Sequence, residues 1–365
     1  MIKNNKSKAD WLLGLLVIIL TLVGTVFIYS ASSYSAKATY KDEFYFVKKQ
    51  LIGVTIGILA MLFFSNFPYE KLKKFCLPLC VISVLLLSIL FIPGVGVKSY
   101  GATRWISLGF FTFQPSELAK FSLILFSATY FSEKPEKINN FKGIIPLLIF
   151  GGLLCFLIML EPNMSITVCV ASILLVMMFA GGVKIKHLLL IILPMILLLV
   201  VLIIIEPYRL KRLFAFINPW SNPKGEGYQL LQSLYALGSG GWFGVGLFNS
   251  RQKYAFLPFA ESDFILSVIG EEIGFIGLTF FFLLLFVIII KGLKIASKSK
   301  DVFGFMLAIG ISMIFGIQVL VNALVVTGSI PPTGLSLPLV SSGNTSIIVF
   351  MAEMGVLINV SKKTV

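Results

Sequence analysis

Runs of about 20 apolar residues recur along nearly the whole of this 365-residue chain, and they constrain its fold more than any other feature. A helix needs about 20 mostly apolar residues to cross the hydrocarbon core of a bilayer. The sequence therefore predicts an all-α, polytopic membrane protein that forms a single integral membrane domain over residues 1–365. About ten transmembrane helices are expected, at residues 11–30, 48–67, 75–93, 117–132, 143–160, 165–182, 188–205, 264–290, 303–326 and 345–361.

The composition excludes a soluble protein. Hydrophobic residues make up 58% of the chain and charged residues 13%, whereas soluble domains carry about 25% charged residues. A net charge of +14 in a soluble protein would suggest a nucleic-acid partner. In this chain the basic residues follow the predicted loops, so they indicate membrane topology instead, and no nucleic-acid partner is predicted.

The distribution of lysine and arginine predicts the orientation. With the N-terminus in the cytoplasm, the inside segments carry 17 basic residues and the outside segments 12, six of which lie in residues 206–263. Long loops are discounted by the positive-inside rule, and every predicted inside loop is short and basic. We therefore expect a multi-pass protein with both termini cytoplasmic. Residues 206–263 then form a long extracytoplasmic loop between spans seven and eight.

The outside segment before the fourth span collects polar residues in the sequence GVGVKSYGATRWISLGFFTFQPSELAK. One interpretation is a membrane-interface loop, with Trp105 in the aromatic belt and Glu117 paired with Lys120 one helical turn later. The other is a basic pocket for an anionic ligand. The polar candidates in this segment are Lys98, Arg104, Gln114, Glu117 and Lys120.

The long loop ends at Asp263, immediately before an apolar run. A carboxylate at the edge of a low-dielectric region can have a raised pKa and act as a general base. Aspartate is also a favoured N-cap of a following helix, and the two interpretations are compatible. Glu261 lies two residues earlier, and Arg251 and Lys253 lie upstream.

Carboxylates also fall inside predicted spans, at Glu271, Glu272 and Glu353. Such groups are costly in a membrane and indicate either a functional site or structural pairing. The chain has one histidine, His187, without a neighbouring metal-ligand partner, and its four cysteines lie in apolar runs. No metal ligands are therefore predicted.

Four sequence blocks together resemble the shape, elongation, division and sporulation (SEDS) family, which includes FtsW, RodA and SpoVE. The resemblance covers nearly the whole chain, and the TGLSLP wording is closer to the division and sporulation branch. Departures from the family pattern occur at Phe259, in EPNMS and in SSGNTS. The blocks are GATRWISLGFFTFQPSELAK (101–120), EPNMS (161–165), GVGLFNSRQKYAFLP into ESDFILSVIGEEIGFIG (244–277), and PPTGLSLPLVSSGNTS (331–346).

The resemblance implies a peptidoglycan glycosyltransferase that polymerises lipid II on the outer face of the bacterial cytoplasmic membrane. It implies a class B penicillin-binding protein as partner, with other divisome or elongasome membrane proteins. Asp263 corresponds to the family's catalytic aspartate and is expected to be the base. The substrate-binding residues expected with it are Arg104, Trp105, Gln114, Glu117, Lys120 and Lys253.

The leaving group in this reaction is a pyrophosphate, which requires cations to stabilise its developing charge. Arg104 and Lys120, with Lys253, are the predicted cations, and a divalent ion such as Mg or Mn is left open as a cofactor. Two other functions also stay open on the sequence. One is a transporter that flips lipid II, which Glu271 and Glu272 would suit, and the other is a non-enzymatic scaffold that recruits a penicillin-binding protein.

Overall fold

Helices dominate the computed structural model, which describes residues 9–99, 102–107, 109 and 112–364. A segment in lipid has no water to bond with, so it satisfies its backbone N–H and C=O groups internally as a helix. The twelve α-helices in these ranges are α1 Trp11–Tyr40, α2 Tyr45–Asn66, α3 Cys76–Ile89, α4 Pro115–Glu133, α5 Phe141–Leu160, α6 Met164–Ala180, α7 Ile185–Ile205, α8 Pro207–Ile217, α9 Tyr228–Gly240, α10 Ile265–Ser297, α11 Val302–Val326 and α12 Asn344–Ser361.

The all-α prediction is confirmed, and each of the ten predicted spans falls on one helix. Eight helical segments of the described ranges are long and apolar enough to cross a membrane; they contain α1, α2, α3, α5, α7, α10, α11 and α12. The other two predicted spans are α6, which has 17 residues, and α4, which carries Glu117 and Lys120. Helices α8 and α9 lie within the predicted long loop.

The helices differ in how far they are surrounded by protein. Helix α12 is buried along most of its length and packs closely on α2, where a Cβ added at Gly355 would lie 2.4 Å from the carbonyl oxygen of Met61. Helix α7 buries only Leu188 among its 21 residues. Helix α12 is therefore central, and α7 presents its apolar surface to lipid.

The polar segment before α4, one interpretation of which was a membrane-interface loop, forms a small antiparallel sheet. Its strands, in the order β1-β2-β3, are β1 Gly96–Ser99, β2 Ala102–Ser107 and β3 Thr112–Phe113. Val97 pairs with Trp105, and Ile106 pairs with Phe113. Strands this short carry too few residues for a clear alternating pattern, which is why hydropathy did not reveal them.

Helix α10 is broken at Gly274, whose φ of 68° and ψ of −172° are essentially restricted to glycine. Residues 241–246 of the long loop run beside the break and form four backbone hydrogen bonds of 2.8 to 3.1 Å with residues 271–276. The approach requires glycine on both sides, because a Cβ at Gly244 would lie 2.1 Å from the carbonyl oxygen of Glu272. The glycines at this point therefore serve packing of the loop against α10.

Candidate active site

The backbone around Asp263 is held by the C-terminal part of the chain. Asn322 of α11 is buried, and its side-chain amide donates to the carbonyl oxygens of Asp263 at 2.9 Å and Leu335 at 2.7 Å. The hydroxyl of Ser341 donates to the carbonyl oxygen of Ser262 at 2.6 Å. These contacts join three distant segments, so Asp263 has a defined position although it lies in a connecting segment.

The side chain of Asp263 does not cap α10. The helix begins at Ile265 with Phe264 as its N-cap residue, and no side chain bonds to the first-turn N–H groups. The capping interpretation is therefore wrong, because the cap position is one residue later than the sequence suggested. The carboxylate is therefore not committed to the first turn of α10.

Burial and charged neighbours determine the pKa of the Asp263 carboxyl. Burial, which is the largest cause, and the charge of Glu261 both raise the pKa of Asp263, and its net value is about 6. The guanidinium groups of Arg104 and Arg212 act in the opposite direction. A carboxyl with this pKa is mostly ionised at neutral pH and is a stronger base than an exposed aspartate.

Arg104 is placed by strand β2 and by the EPNMS block. Its Nε donates to the carbonyl oxygen of Glu161 at 3.3 Å, and its Nη2 donates to the carbonyl oxygen of Pro162 at 2.5 Å. Burial raises the pKa of the Glu161 carboxyl to about 8, although Arg104 lowers it. Because Glu161 is then largely protonated at pH 7, it leaves the charge of Arg104 free to bind an anion.

Arg212 is the functional candidate that sequence reasoning missed. It lies on α8, half-buried, with its guanidinium 4.7 Å from the ring centre of Tyr208 and Nη1 at 3.5 Å from the carbonyl oxygen of Pro332. It also lines a cavity of about 430 Å³ together with Phe259, at which the chain departs from the family pattern. The cavity lies beside the segment that carries Asp263.

Gln114 and Trp105 lie at the junction between the sheet and the helices, and both are half-buried. The backbone N–H of Gln114 donates to the hydroxyl of Thr345 at 3.1 Å, and that hydroxyl donates to the carbonyl oxygen of Thr112 at 3.0 Å. Thr345 belongs to the SSGNTS block. These hydrogen bonds of Gln114 and Thr345 therefore join the start of α4 to the start of α12.

Glu117 and Lys120 form a buried ion pair in the helix bundle, with Lys120 Nζ 2.8 Å from Glu117 Oε1. The ammonium group lies 5.3 Å from the ring centre of Phe350. Glu353, also buried on α12, interacts electrostatically with both groups. The pairing that the sequence offered as an alternative is present, and it joins α4 to α12 inside the bundle.

The side chain of Lys253 contacts residues of the loop that carries it. Its side chain is buried, and Nζ donates to the carbonyl oxygen of Phe248 and lies 5.6 Å from the ring centre of Tyr254. Within the ranges that the structure describes, no contact connects Lys253 with Asp263. The structure thus places Arg104 and Arg212 near the carboxylate and does not bring Lys253 there.

Glu271 and Glu272 hold the long loop against α10. Glu271 accepts hydrogen bonds from the hydroxyl of Ser250 at 2.5 Å and the backbone N–H of Arg251 at 3.0 Å. Glu272 accepts from the hydroxyl of Ser30 and from the N–H of Ser250 at 3.4 Å. These partners give the two carboxylates a structural role.

No group of three or more His, Cys, Asp or Glu side chains is placed to hold a metal ion in the part of the chain that the structure describes. The site combines the Asp263 carboxyl, of raised pKa, with the guanidinium groups of Arg104 and Arg212. This arrangement can remove a proton from a hydroxyl and bind a polyanion beside it.

Comparison with known proteins identifies relatives along the whole chain. The family model described as cell cycle protein, for FtsW, RodA and SpoVE, matches residues 10–365. Stage V sporulation protein E of Bacillus subtilis is 40% identical over 362 residues, which cover 98% of each chain. The probable peptidoglycan glycosyltransferase FtsW of Trichlorobacter lovleyi is 39% identical and covers 97% of this chain and 93% of its own.

Solved structures agree with these relatives. A chain of a peptidoglycan synthase complex that coordinates polymerization and crosslinking superposes with a TM-score of 0.80 and 27% identity, over 97% of both chains. The rod shape determining protein RodA of Thermus thermophilus superposes with a TM-score of 0.72 and 25% identity, also over 97% of both chains. The chain therefore belongs to the FtsW/RodA/SpoVE family of cell cycle proteins.

Proposed function

We propose that this protein is a peptidoglycan glycosyltransferase that polymerises lipid II on the outer face of the bacterial cytoplasmic membrane. The observation that carries the proposal is the juxtaposition of Asp263, of raised pKa, with Arg104 and Arg212. The relative named as a probable peptidoglycan glycosyltransferase supports the reaction class.

In the proposed reaction, the acceptor hydroxyl gives its proton to Asp263 as its oxygen attacks the donor sugar carbon. The new glycosidic C–O bond forms while the C–O bond to pyrophosphate breaks, and the electron pair leaves with the pyrophosphate. Arg104 and Arg212 stabilise the charge that develops on this leaving group. A single displacement inverts the configuration at carbon and requires no covalent sugar–enzyme intermediate.

The buried pair of Glu117 and Lys120 contributes indirectly in this proposal. Lys120 was predicted to contact the pyrophosphate, but its partner in the structure is a carboxylate within the bundle. The pair fixes α4 against α12, and α4 begins next to Gln114. These residues then position the sheet that carries Arg104.

The proposed topology places both termini in the cytoplasm and residues 206–263 outside. The backbone N–H of Asp10, before α1, donates to the hydroxyl of Ser361, at the end of α12, at 2.9 Å. The start of α1 and the end of α12 therefore lie on the same side of the bundle, as an even number of spans requires. The cytoplasmic side follows from the distribution of lysine and arginine.

A class B penicillin-binding protein is the proposed partner, together with other divisome or elongasome membrane proteins. The structural relative from a peptidoglycan synthase complex supports this assignment. The contacts of Glu271 with the long loop, and of Glu272 with the long loop and α1, favour the polymerase over the transporter alternative.

Polymerisation of labelled lipid II by the purified protein, with and without the partner, tests the proposal. Asp263→Asn should reduce glycan formation by about 10²- to 10⁴-fold, since a general base contributes that much. Glu136→Gln is the control, because it removes an exposed carboxylate that does not act on Asp263 and should leave activity unchanged. Lipid II flipping by wild type in vesicles without glycan formation would contradict the proposal.

A further inference from the structure

A second cavity, of about 680 Å³, opens at the end of α10 remote from Asp263. Its walls are the last turns of α10, the residue before α1 and the end of α12. Asp10 and Thr364 both line it, so it lies at the end of the bundle where α1 begins and α12 ends. Nothing in the proposed glycan chemistry uses this cavity.

Three lysines of α10 line the cavity at helical spacing: Lys291, Lys294 and Lys298. Residues three, four and seven apart share one face of a helix. Lys291 is paired with Asp10, whose oxygens lie 2.8 and 2.9 Å from Nζ. Lys294 and Lys298 are exposed, and their ammonium groups have no partner among the residues that the structure describes. The cavity therefore carries two uncompensated positive charges.

The two lysines that follow α12 are engaged elsewhere. Lys362 donates to the carbonyl oxygen of Ser65 at 2.7 Å and to the side chain of Asn66 at 3.1 Å. Lys363 forms an ion pair with Glu70. The ammonium groups of Lys362 and Lys363 therefore have partners, whereas those of Lys294 and Lys298 have none in the part of the chain that the structure describes.

An apolar wall adjoins the lysines. Val287 and Ile290 of α10 line the same cavity one to two turns before Lys294. Val287 is 42% exposed, and the exposed Leu283 and Phe286 continue the apolar surface toward the membrane interior. A ligand with an anionic head and an apolar tail matches this order of charge and hydrocarbon along α10.

We propose that this cavity binds the phosphate headgroup of an anionic phospholipid from the leaflet on the side of the chain termini. Lys294 and Lys298 bind the phosphate, and an acyl chain packs along Val287 and Ile290. Basic pockets between transmembrane helices bind such headgroups because the phosphate is attracted by the ammonium groups while the tails stay in hydrocarbon. A free phosphate ion would use only the lysines.

Native mass spectrometry of the full-length protein, titrated with phosphatidylglycerol or phosphatidylethanolamine, tests the site. The double variant Lys294→Gln/Lys298→Gln should bind phosphatidylglycerol roughly 30-fold more weakly, as two lysines near a membrane surface contribute about that factor. The matched control is Lys71→Gln/Lys74→Gln, which removes two exposed lysines that do not line the cavity. The control should retain wild-type affinity.

Asp10→Asn tests the site through an expected gain in phosphatidylglycerol affinity instead of a loss. Asparagine caps a helix about as well as aspartate, so α1 keeps the cap that Asp10 gives to Leu13. Lys291 loses its carboxylate partner and becomes available to the phosphate. Phosphatidylglycerol should then bind several-fold more tightly than to wild type.

Equal losses in the two double variants would overturn the proposal, because unspecific surface charge would then explain binding. Weaker binding by Asp10→Asn would overturn it as well. Inorganic phosphate that displaces phosphatidylglycerol at millimolar concentration would assign the lysines to a free anion instead of a lipid. Equal affinity for phosphatidylethanolamine would exclude selection by headgroup charge.

Discussion

Replacement of Asp263 by asparagine should stabilise the folded protein while it removes activity. Burial and Glu261 raise the pKa of Asp263 from an ordinary 3.8 to about 6. Each pH unit between the folded and unfolded pKa corresponds to about 1.36 kcal/mol. The ionised carboxylate therefore lowers the free energy of unfolding by about 3 kcal/mol at pH 7, and Asp263→Asn removes this cost without losing a helix cap.

The loss of stability caused by the Asp263 carboxylate depends on pH. Above about pH 6 the carboxyl is ionised in both the folded and the unfolded chain, and the full cost applies. Between pH 6 and 3.8 only the unfolded chain is mostly ionised, so the cost declines. Below 3.8 both states are protonated, and wild type and Asp263→Asn should be equally stable.

Thermal unfolding in detergent, measured at pH 7.5 and at pH 4, checks this prediction. The variant should unfold on the order of 5 °C higher at pH 7.5 and with little difference at pH 4. A lower unfolding temperature of the variant at pH 7.5 would refute the reasoning, since it would show that the carboxylate stabilises the fold. A gain of the same size at both pH values would also refute it.

The rate of lipid II polymerisation should fall as pH decreases through about 6, because Asp263 must be ionised to accept a proton. Arg212→Gln should move this fall to higher pH, because Arg212 lowers the pKa of Asp263. The variant should also reduce kcat/KM on the order of 10- to 100-fold, because a cation that binds the leaving group is lost. An unchanged pH profile would exclude Arg212 from the site. Gly274→Ala should destabilise the protein by about 3 kcal/mol or more, because its φ is positive and its Cβ would clash with backbone. Gly238→Ala, where a Cβ meets open space, should leave the unfolding temperature unchanged. Single cysteines introduced in residues 206–263 should react with an impermeant thiol reagent in intact cells, and reaction only after permeabilisation would reverse the proposed topology.

Hydropathy predicted the membrane helices because it is a property of about 20 adjacent residues. The same local property placed Asp263 at the start of an apolar helix. It did not show the break at Gly274, because a single glycine within an apolar run leaves the hydropathy unchanged. The break depends on residues 241–246, which lie about 30 positions earlier in the chain.

Arg212 was missed because residues 206–263 were treated as loop. The sequence PYRLKRLFAFI contained the signal, since Arg209 and Arg212 are one helical turn apart and fall on one face of α8. An amphipathic helix in an outside loop could have been predicted from this spacing. Its approach to Asp263 could not, because that depends on how distant segments pack.

Residue type alone did not predict where the side chains of Lys120 and Lys253 lie. Both are cations close in sequence to predicted site residues, yet each has a local partner, Glu117 for one and the carbonyl of Phe248 for the other. A buried charge is stable only when it is paired, so the nearest available acceptor determines where a lysine points. The sequence alone did not show which acceptor would be nearest.

The contacts of Asn322 and Ser341 with the Asp263 segment also determine when the site can form during protein synthesis. A ribosome that has just completed α10 has already made Asp263, but the residues that hold its backbone are still untranslated. The segment can take its final position only after α11 and the following loop have entered the membrane. A chain that is terminated early therefore contains the aspartate and both arginines but lacks the residues that hold the backbone of Asp263.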